Sequence, residues 1–191
     1  MKRAVILHGT DGDPSHNWQP WLKQQLEAAG YEVFAPLLPD NNRPSRKTYE
    51  KFLQESDWDF TDNIVIGHSS GATTVLNLLL ADWFPNVKAA VLVAAFLNEK
   101  WTKNAGLFPE GNFDDLFVKD FDPVKLKLRA EKFYFVHGSD DPYCDIEDAR
   151  KLCGKLEGAF IAIPHGHHLG GTSGITELSD LVDHLKQDNI L

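Results

Sequence analysis

The chain has 191 residues, a length that suits one domain with a single sizeable core and excludes a large multidomain assembly. Hydrophobic residues make up 42% and charged residues 25%, close to the averages of soluble globular proteins, which argues against disorder. Acidic residues outnumber basic ones 28 to 19, and the net charge of −9 argues against nucleic acid and membrane surfaces as partners.

Short apolar runs alternate with helical stretches along the whole chain. This alternation predicts an α/β fold in which a mostly parallel, six-stranded sheet lies between two layers of helices. The runs are nearly continuously apolar, as expected of strands that are covered on both faces. The predicted strands are 3–8, 31–36, 63–67, 87–95, 132–137 and 159–164, and the predicted helices are 17–29, 45–56, 70–83, 145–156 and 176–187.

The first predicted strand leads into a loop with two glycines, residues 8–12, HGTDG. Gly9 and Gly12 allow this loop to fold close to a neighbouring turn. A nucleotide-binding loop is the alternative, but neither the G-x-G-x-x-G pattern nor the Walker lysine is present, and His8 is interpreted as structural. The apolar stretch 4–7 is too short for a signal-peptide core, and no segment of the sequence reaches the length of a membrane span.

Residues 63–72, NIVIGHSSGA, give the strongest local signal. They place a G-x-S-x-G motif directly after an apolar strand and directly before a helix, which is the context of a nucleophile elbow. Ser69 then stands on a strained turn, and Gly67 and Gly71 let the backbones approach. The backbone N–H of Ser70 opens the helix, where the dipole favours an anion. The alternative is that Ser69 or Ser70 only caps the helix.

The stretch from 98 to 131 has no clean period. Six large apolar side chains stand among Gly, Asn and Asp: Trp101, Leu107, Phe108, Phe113, Phe117 and Phe121. We predict a loop with one or two short helices over the edge of the sheet. Together with Trp18, these rings are candidates for the wall of an apolar acyl pocket, although core packing is the expected place of most of them.

The fifth predicted strand ends in a turn that carries two carboxylates, residues 137–143, HGSDDPY. A serine hydroxyl is a weak nucleophile unless a base takes its proton and a third group orients that base. In this architecture the acid follows the serine and precedes the histidine along the chain. Asp141 is the predicted acid and Asp140 the alternate, while the competing interpretation is an Asp-Pro turn that caps the next helix.

The last predicted strand ends in a loop with three histidines, residues 165–171, HGHHLGG. His168 is the predicted base, because it is four residues past Pro164 and precedes an apolar residue, and His167 is the alternate. A divalent metal is the competing interpretation of such a cluster, but the loop contains no Cys, Asp or Glu to complete a site. We therefore predict no metal.

Transition-state stabilisation needs two backbone donors at the developing oxyanion. The N–H of Ser70 at the start of the helix is the first candidate. The N–H of Thr10, in the glycine-containing loop after the first strand, is the second.

The two cysteines, Cys144 and Cys153, are separated by nine positions and match neither a CxxC motif nor a Cys/His zinc pattern. They are interpreted as reduced thiols in a cytoplasmic protein, with a disulfide as the alternative.

The sequence resembles the α/β-hydrolases, and within them the small YdeN-like and retinoblastoma-binding-protein-nine-like serine hydrolases. The similarity spans nearly the whole chain through ILHGTDG, HNWQPWL, IGHSSGA, HGSDDPYC and PHGHHLGGTSGITEL. It implies Ser69 as nucleophile, Asp141 as acid and His168 as base, on a compact fold with sheet order 2-1-3-4-5-6 and no large lid. Two positions depart from the family pattern: His167 where a small residue is usual, and Cys144 where an aliphatic residue is usual.

We therefore expect a single α/β-hydrolase domain over residues 1–191 that acts as a serine esterase. It is expected to cleave a small ester, thioester or amide through an acyl-enzyme, with no cofactor. An acyltransferase would use the same residues. The alternative from another class is a protein-interaction module with weak or vestigial activity, although the sequence identifies no protein partner. The net charge of −9 indicates a bias against strongly anionic substrates.

Overall fold

The computed structural model describes residues 1–98, 113, 115–117 and 121–191. Its strands are β1 (Lys2–Leu7), β2 (Tyr31–Phe34), β3 (Ile64–His68), β4 (Val87–Val93), β5 (Ala130–Gly138) and β6 (Ala159–Ile163). They form one sheet in the order β2-β1-β3-β4-β5-β6, and every neighbouring pair is parallel. The predicted α/β class and the predicted strand order are confirmed.

The helices in the described part of the chain are α1 (Gln19–Ala28), α2 (Arg46–Gln54), α3 (Ser70–Leu80), α4 (Pro123–Lys127), α5 (Ile146–Lys155) and α6 (Ser179–Gln187), with a 3₁₀ turn at Gly171–Ser173. None of these helices combines the length and the apolar composition that crossing a membrane requires.

Local side-chain chemistry explains where several helices begin. The Ser45 hydroxyl accepts the backbone N–H of Thr48 at the start of α2, and the Asp145 carboxylate accepts two N–H groups at the start of α5. Helix α1 begins two residues later than predicted because Asn17 has a left-handed φ of 56°. Helix α4 falls in the stretch where short helices were predicted, whereas Trp101, Leu107 and Phe108 of that stretch lie outside the described residues.

Two apolar clusters fill the space on the two faces of the sheet. One packs α2, α3, α4 and α5 against the sheet, and the other packs α1 and α6. Every residue of β3 is buried, as its continuously apolar sequence predicts for a strand between two helical layers. Trp18, a candidate for the wall of a pocket, is instead fully buried in the second cluster.

The parallel arrangement brings four loops to one edge of the sheet. The segments after β1, β3, β5 and β6 all leave the carboxyl ends of neighbouring strands. In open parallel sheets, ligands bind at this edge. The predicted functional residues of all four loops are therefore expected to meet there.

Candidate active site

The turn between β3 and α3 holds Ser69 in a strained backbone conformation. Its φ of 55° and ψ of −120° lie outside the regions that non-glycine residues favour. Such a conformation costs about 1–3 kcal/mol and persists where the surrounding structure fixes it. Here the fixation comes from close backbone approach, because a Cβ at Gly71 would overlap the carbonyl of Leu7 and a Cβ at Gly67 would overlap the carbonyl of Gly71.

Ser69, His168 and Asp141 form a continuous hydrogen-bonded series. The Ser69 Oγ lies 2.9 Å from Nε2 of His168, and Nδ1 of the same ring lies 2.9 Å from Oδ2 and 3.1 Å from Oδ1 of Asp141. A carboxylate only accepts hydrogen bonds, so Nδ1 carries the proton and Nε2 is left to accept the serine O–H. This tautomer is the one that a general base needs.

The Asp141 carboxylate is completely enclosed, with 0% of its side chain exposed. Its Oδ1 accepts the backbone N–H of Tyr143 at 2.9 Å and that of Cys144 at 3.2 Å. These bonds fix the orientation of the carboxylate toward the imidazole.

The alternates, Asp140 and His167, pair with each other on the rim instead. The Asp140 Oδ1 accepts the backbone N–H of His167 at 2.8 Å, and its Oδ2 lies 3.1 Å from Nδ1 of the same residue. The His167 side chain is 59% exposed, whereas that of His168 is 14% exposed. The structure thus places His168, and not His167, beside Ser69.

The loop that carries His168 has an unusual backbone. His165, His167 and Leu169 have φ values of 52°, 48° and 53°, so left-handed residues alternate with ordinary ones. The loop also packs tightly against the end of β5, since a Cβ at Gly138 would overlap the carbonyl of His167.

Two aromatic side chains that were not predicted as site residues flank the imidazole of His168. The Phe96 ring lies 5.3 Å from it, and the Tyr143 ring meets it edge-on at 4.9 Å, both measured between centroids. Phe96 follows β4, and its position just past a strand end was the available signal, because these ends converge at one edge. Nothing in the sequence distinguishes Tyr143 from an ordinary turn residue.

The two residues whose backbone N–H groups are the predicted oxyanion donors contact each other through their side chains. The Thr10 hydroxyl donates to the Ser70 hydroxyl at 3.0 Å, which joins the loop after β1 to the first residue of α3. Backbone N–H groups in the first turn of a helix have no partner within that helix. The nearby His8 holds the loop, because its Nδ1 lies 2.8 Å from the carbonyl of Gly9 and its Nε2 accepts the N–H of Leu38 at 2.8 Å.

Cys144 and Cys153 are both buried free thiols. The Cys144 Sγ lies 3.2 Å from the carbonyl of Ala94 and 3.8 Å from Nδ1 of His168, and burial raises the pKa of this thiol well above its usual value. Asp141, Cys144 and His168 place potential metal ligands within 4.8 Å of one another. Metal coordination requires the Cys144 thiolate, which burial opposes, and the other two side chains already bind each other.

A cavity of about 650 Å³ opens over Ser69 and His168. Its aromatic and proline lining comes from Phe96, Pro142 and Tyr143, while the loop after β1 contributes the carboxylates Asp11 and Asp13. Hydrogen bonds from Ser15 lower the pKa of the Asp13 carboxyl. The described part of the wall therefore combines apolar rings with carboxylates, while Trp101, Leu107 and Phe108 of the aromatic stretch lie outside the described residues.

His137 lies at the end of β5, below the turn that carries Asp141. It is completely buried, and neither ring nitrogen has a hydrogen-bond partner in the described part of the chain. The ring stacks on Phe160 at 5.7 Å with an interplanar angle of 11°. Burial lowers the pKa of His137 from 6.5 to about 4.

This buried histidine predicts a loss of stability in acid. Between pH 6.5 and 4 the unfolded chain binds a proton that folded His137 excludes. The free energy of unfolding therefore decreases as the pH is lowered through this range. We expect His137→Phe to reduce the fall between pH 7 and pH 4.5 by about 2 kcal/mol. Urea unfolding across this range measures the effect, with exposed His165→Asn as the control. If the free energy of unfolding of His137→Phe decreased with falling pH as steeply as that of the wild type, His137 would not be the cause of the acid instability.

A family model and several known proteins match this chain over most of its length. A family model described as serine hydrolase matches residues 4–187. Serine hydrolase RBBP9 from Rattus norvegicus is 22% identical over 173 residues, which cover 89% of this chain and 88% of that protein. The crystal structure of the ydeN gene product from Bacillus subtilis has a TM-score of 0.86 at 21% identity, over 100% of both chains. Est1E from Butyrivibrio proteoclasticus, solved with ferulic acid bound, has a TM-score of 0.68 at 15% identity, over 100% of this chain and 88% of that one.

Proposed function

The chain belongs to the serine hydrolase family, and from this premise we propose that it cleaves a small carboxylic ester, thioester or amide through Ser69, His168 and Asp141. One observation carries the proposal: the Ser69 hydroxyl, the imidazole and the buried carboxylate are hydrogen-bonded in series at 2.9 Å. This order of hydroxyl, imidazole and carboxylate is the one that activation of a serine nucleophile requires.

The proposed reaction begins with attack of the Ser69 Oγ on the carbonyl carbon of the substrate. His168 Nε2 takes the hydroxyl proton as the bond forms, and the Asp141 carboxylate stabilises the resulting imidazolium. The backbone N–H groups of Thr10 and Ser70 bind the oxyanion. His168 then protonates the leaving group, and an acyl-enzyme remains on Ser69.

Water completes the proposed reaction. His168 takes a proton from the water, the hydroxide oxygen attacks the acyl carbonyl, and the acid is released as Ser69 regains its proton. The protein side chains supply every proton transfer, so the proposal involves no cofactor.

A panel of short-chain nitrophenyl esters, thioesters and peptide amides tests the reaction type. We expect the free acid to appear in proportion to the released leaving group. Transfer of the acyl group to an added alcohol or amine, without free acid, would identify an acyltransferase. Failure of every substrate together with failure of fluorophosphonate labelling would favour a protein-interaction module instead.

The carboxylates of the cavity wall predict a charge preference. A nitrophenyl ester with a neutral butyryl group is expected to have a kcat/KM about three- to tenfold higher than the anionic hemisuccinate, because of repulsion through solvent. Asp11→Asn should narrow this ratio, and asparagine tolerates the φ of 50° at this position. High salt should narrow the ratio as well.

Asp57→Asn is the control for this charge preference, because Asp57 precedes β3 and lies toward the opposite edge of the sheet. An equal kcat/KM for both esters in the wild type would contradict the predicted role of the wall.

A further inference from the structure

The residue before the candidate nucleophile contacts the backbone of the candidate base. Nε2 of His68 lies 2.9 Å from the carbonyl oxygen of His168, across 100 residues of chain. A carbonyl only accepts hydrogen bonds, so Nε2 carries a proton and the Nε2–H group is the donor. The turn that presents Ser69 is thereby joined directly to the loop that presents His168.

A second donor holds the next residue of the same loop. The indole N–H of Trp18 donates to the carbonyl of Leu169 at 2.9 Å. The Trp18 and His68 rings meet edge-on, with centroids 5.8 Å apart. Two successive carbonyls of the base loop, the loop of residues 165–171 that carries His168, are therefore held by two buried side chains that pack against each other.

Close packing leaves His68 little freedom to move. The side chain is nearly completely buried, and a Cβ at Gly170 would lie 2.6 Å from its Cε1. Its ring centroid is 5.3 Å from that of His168. Because the loop has left-handed residues on both sides of His168, external contacts are needed to keep the imidazole in one place.

The charge state of His68 suits this position. Burial and, to a smaller extent, the neighbouring His168 lower its pKa to about 3, while Asp141 opposes the shift. His8 also disfavours a charge on His68. His68 therefore stays neutral when His168 becomes an imidazolium and adds no repulsion to that step.

We propose that His68 is a positioning residue, whose Nε2–H bond to the His168 carbonyl holds the imidazole between Ser69 and Asp141, with Trp18 acting in the same way on Leu169. This inference rests on the proposed function, because positioning matters for activity only if His168 is the base. Misplacement of a reacting group by about 1 Å costs on the order of a hundredfold in rate.

A pair of variants tests the bond itself. His68→Phe keeps a ring and removes the donor, whereas His68→Gln places an amide N–H at a similar reach. We expect His68→Phe to lower kcat for a nitrophenyl ester about 10- to 100-fold with KM changed less than about threefold. His68→Gln should recover most of this loss. Equal losses in both variants, or wild-type kcat in His68→Phe, would overturn the inference.

Trp18→Phe provides a second measurement should His68→Phe fail to fold. It keeps an aromatic ring and removes the donor to Leu169, and we expect kcat to fall about three- to tenfold. An unchanged kcat in folded Trp18→Phe would contradict the proposed role of Trp18 in positioning the loop that carries His168.

Proton NMR supplies a readout that does not depend on turnover. The Nδ1–H of His168 bonded to Asp141 should give a downfield resonance in the wild type and in His68→Gln. It should broaden or vanish in folded His68→Phe, and a persistent signal there would overturn the inference. If the wild type neither turns over esters nor reacts with a fluorophosphonate, the proposed function fails, while this signal still tests whether His68 positions the ring.

Discussion

Ser69→Ala is expected to abolish ester turnover and to abolish labelling by a fluorophosphonate probe. The substitution removes the hydroxyl that lies 2.9 Å from the imidazole Nε2 of His168, so no nucleophile remains to form the acyl-enzyme. Loss of the nucleophile in a triad of this kind lowers kcat by about a million-fold. Initial rates with nitrophenyl butyrate and mass spectrometry of the probe-treated protein measure the two effects.

Ser56→Ala is the matched control for this substitution. Its hydroxyl donates to the carbonyl of Leu53 just past the end of α2, on the connection that enters β3 at its amino end and outside the four loops of the site. We expect this variant to react and to turn over substrate as the wild type does. Labelling of Ser69→Ala at the wild-type rate would contradict the proposed nucleophile, and turnover by both variants would require another catalytic group.

The fold could be predicted from the sequence because its signals are local and agree with one another. Strand β3 reads as an uninterrupted apolar run, and all five of its residues are buried between helices. The predicted helices 45–56 and 145–156 begin within one residue of the observed α2 and α5 for the same reason, since the Ser45 and Asp145 caps need only a short polar side chain at the right position. The order of the strands came from the family resemblance, since apolar runs do not reveal which strands are neighbours.

Local signals favoured His168 and Asp141 but did not exclude their neighbours. His167 is adjacent to His168 and Asp140 is adjacent to Asp141, so the spacing along the chain left both alternates open. The alternating left-handed residues of the loop determine which imidazole is turned toward Ser69, and the sequence does not show them. The role of His68 was hidden too, because its partner is a backbone carbonyl 100 residues away.

The cavity wall could be predicted only in part. An aromatic ring satisfies a core as well as a pocket, and Trp101, Leu107 and Phe108 of the aromatic stretch lie outside the described residues. Trp18 packs in the core and donates its indole N–H to Leu169, which places it under the base loop rather than on the cavity surface. The carboxylates of Asp11 and Asp13 are exposed or half-buried in a glycine-containing loop, and only the fold brings that loop over Ser69.

His168→Ala and His167→Ala are expected to differ by several orders of magnitude in activity. Removal of the imidazole between Ser69 and Asp141 leaves the hydroxyl without a base, and losses of about 10⁴- to 10⁶-fold in kcat follow from removing such a group. His167→Ala removes a largely exposed side chain and its contact with Asp140 on the rim, and such exposed contacts contribute little. We expect its kcat to fall less than about tenfold. Initial rates with nitrophenyl butyrate, alongside circular dichroism of each variant, provide the comparison.

The two carboxylates give an independent test of the same assignment. Asp141→Asn should lower kcat by about 10⁴-fold, because an amide at this position no longer holds the Nδ1–H tautomer of His168. Asp140→Asn should behave like His167→Ala, because Asp140 contacts His167 on the rim. The opposite ranking in both pairs would require the His167–Asp140 pair to replace the His168–Asp141 pair beside Ser69. Such a replacement would leave the enclosed Asp141 carboxylate without its imidazole partner, a costly state for a buried charge.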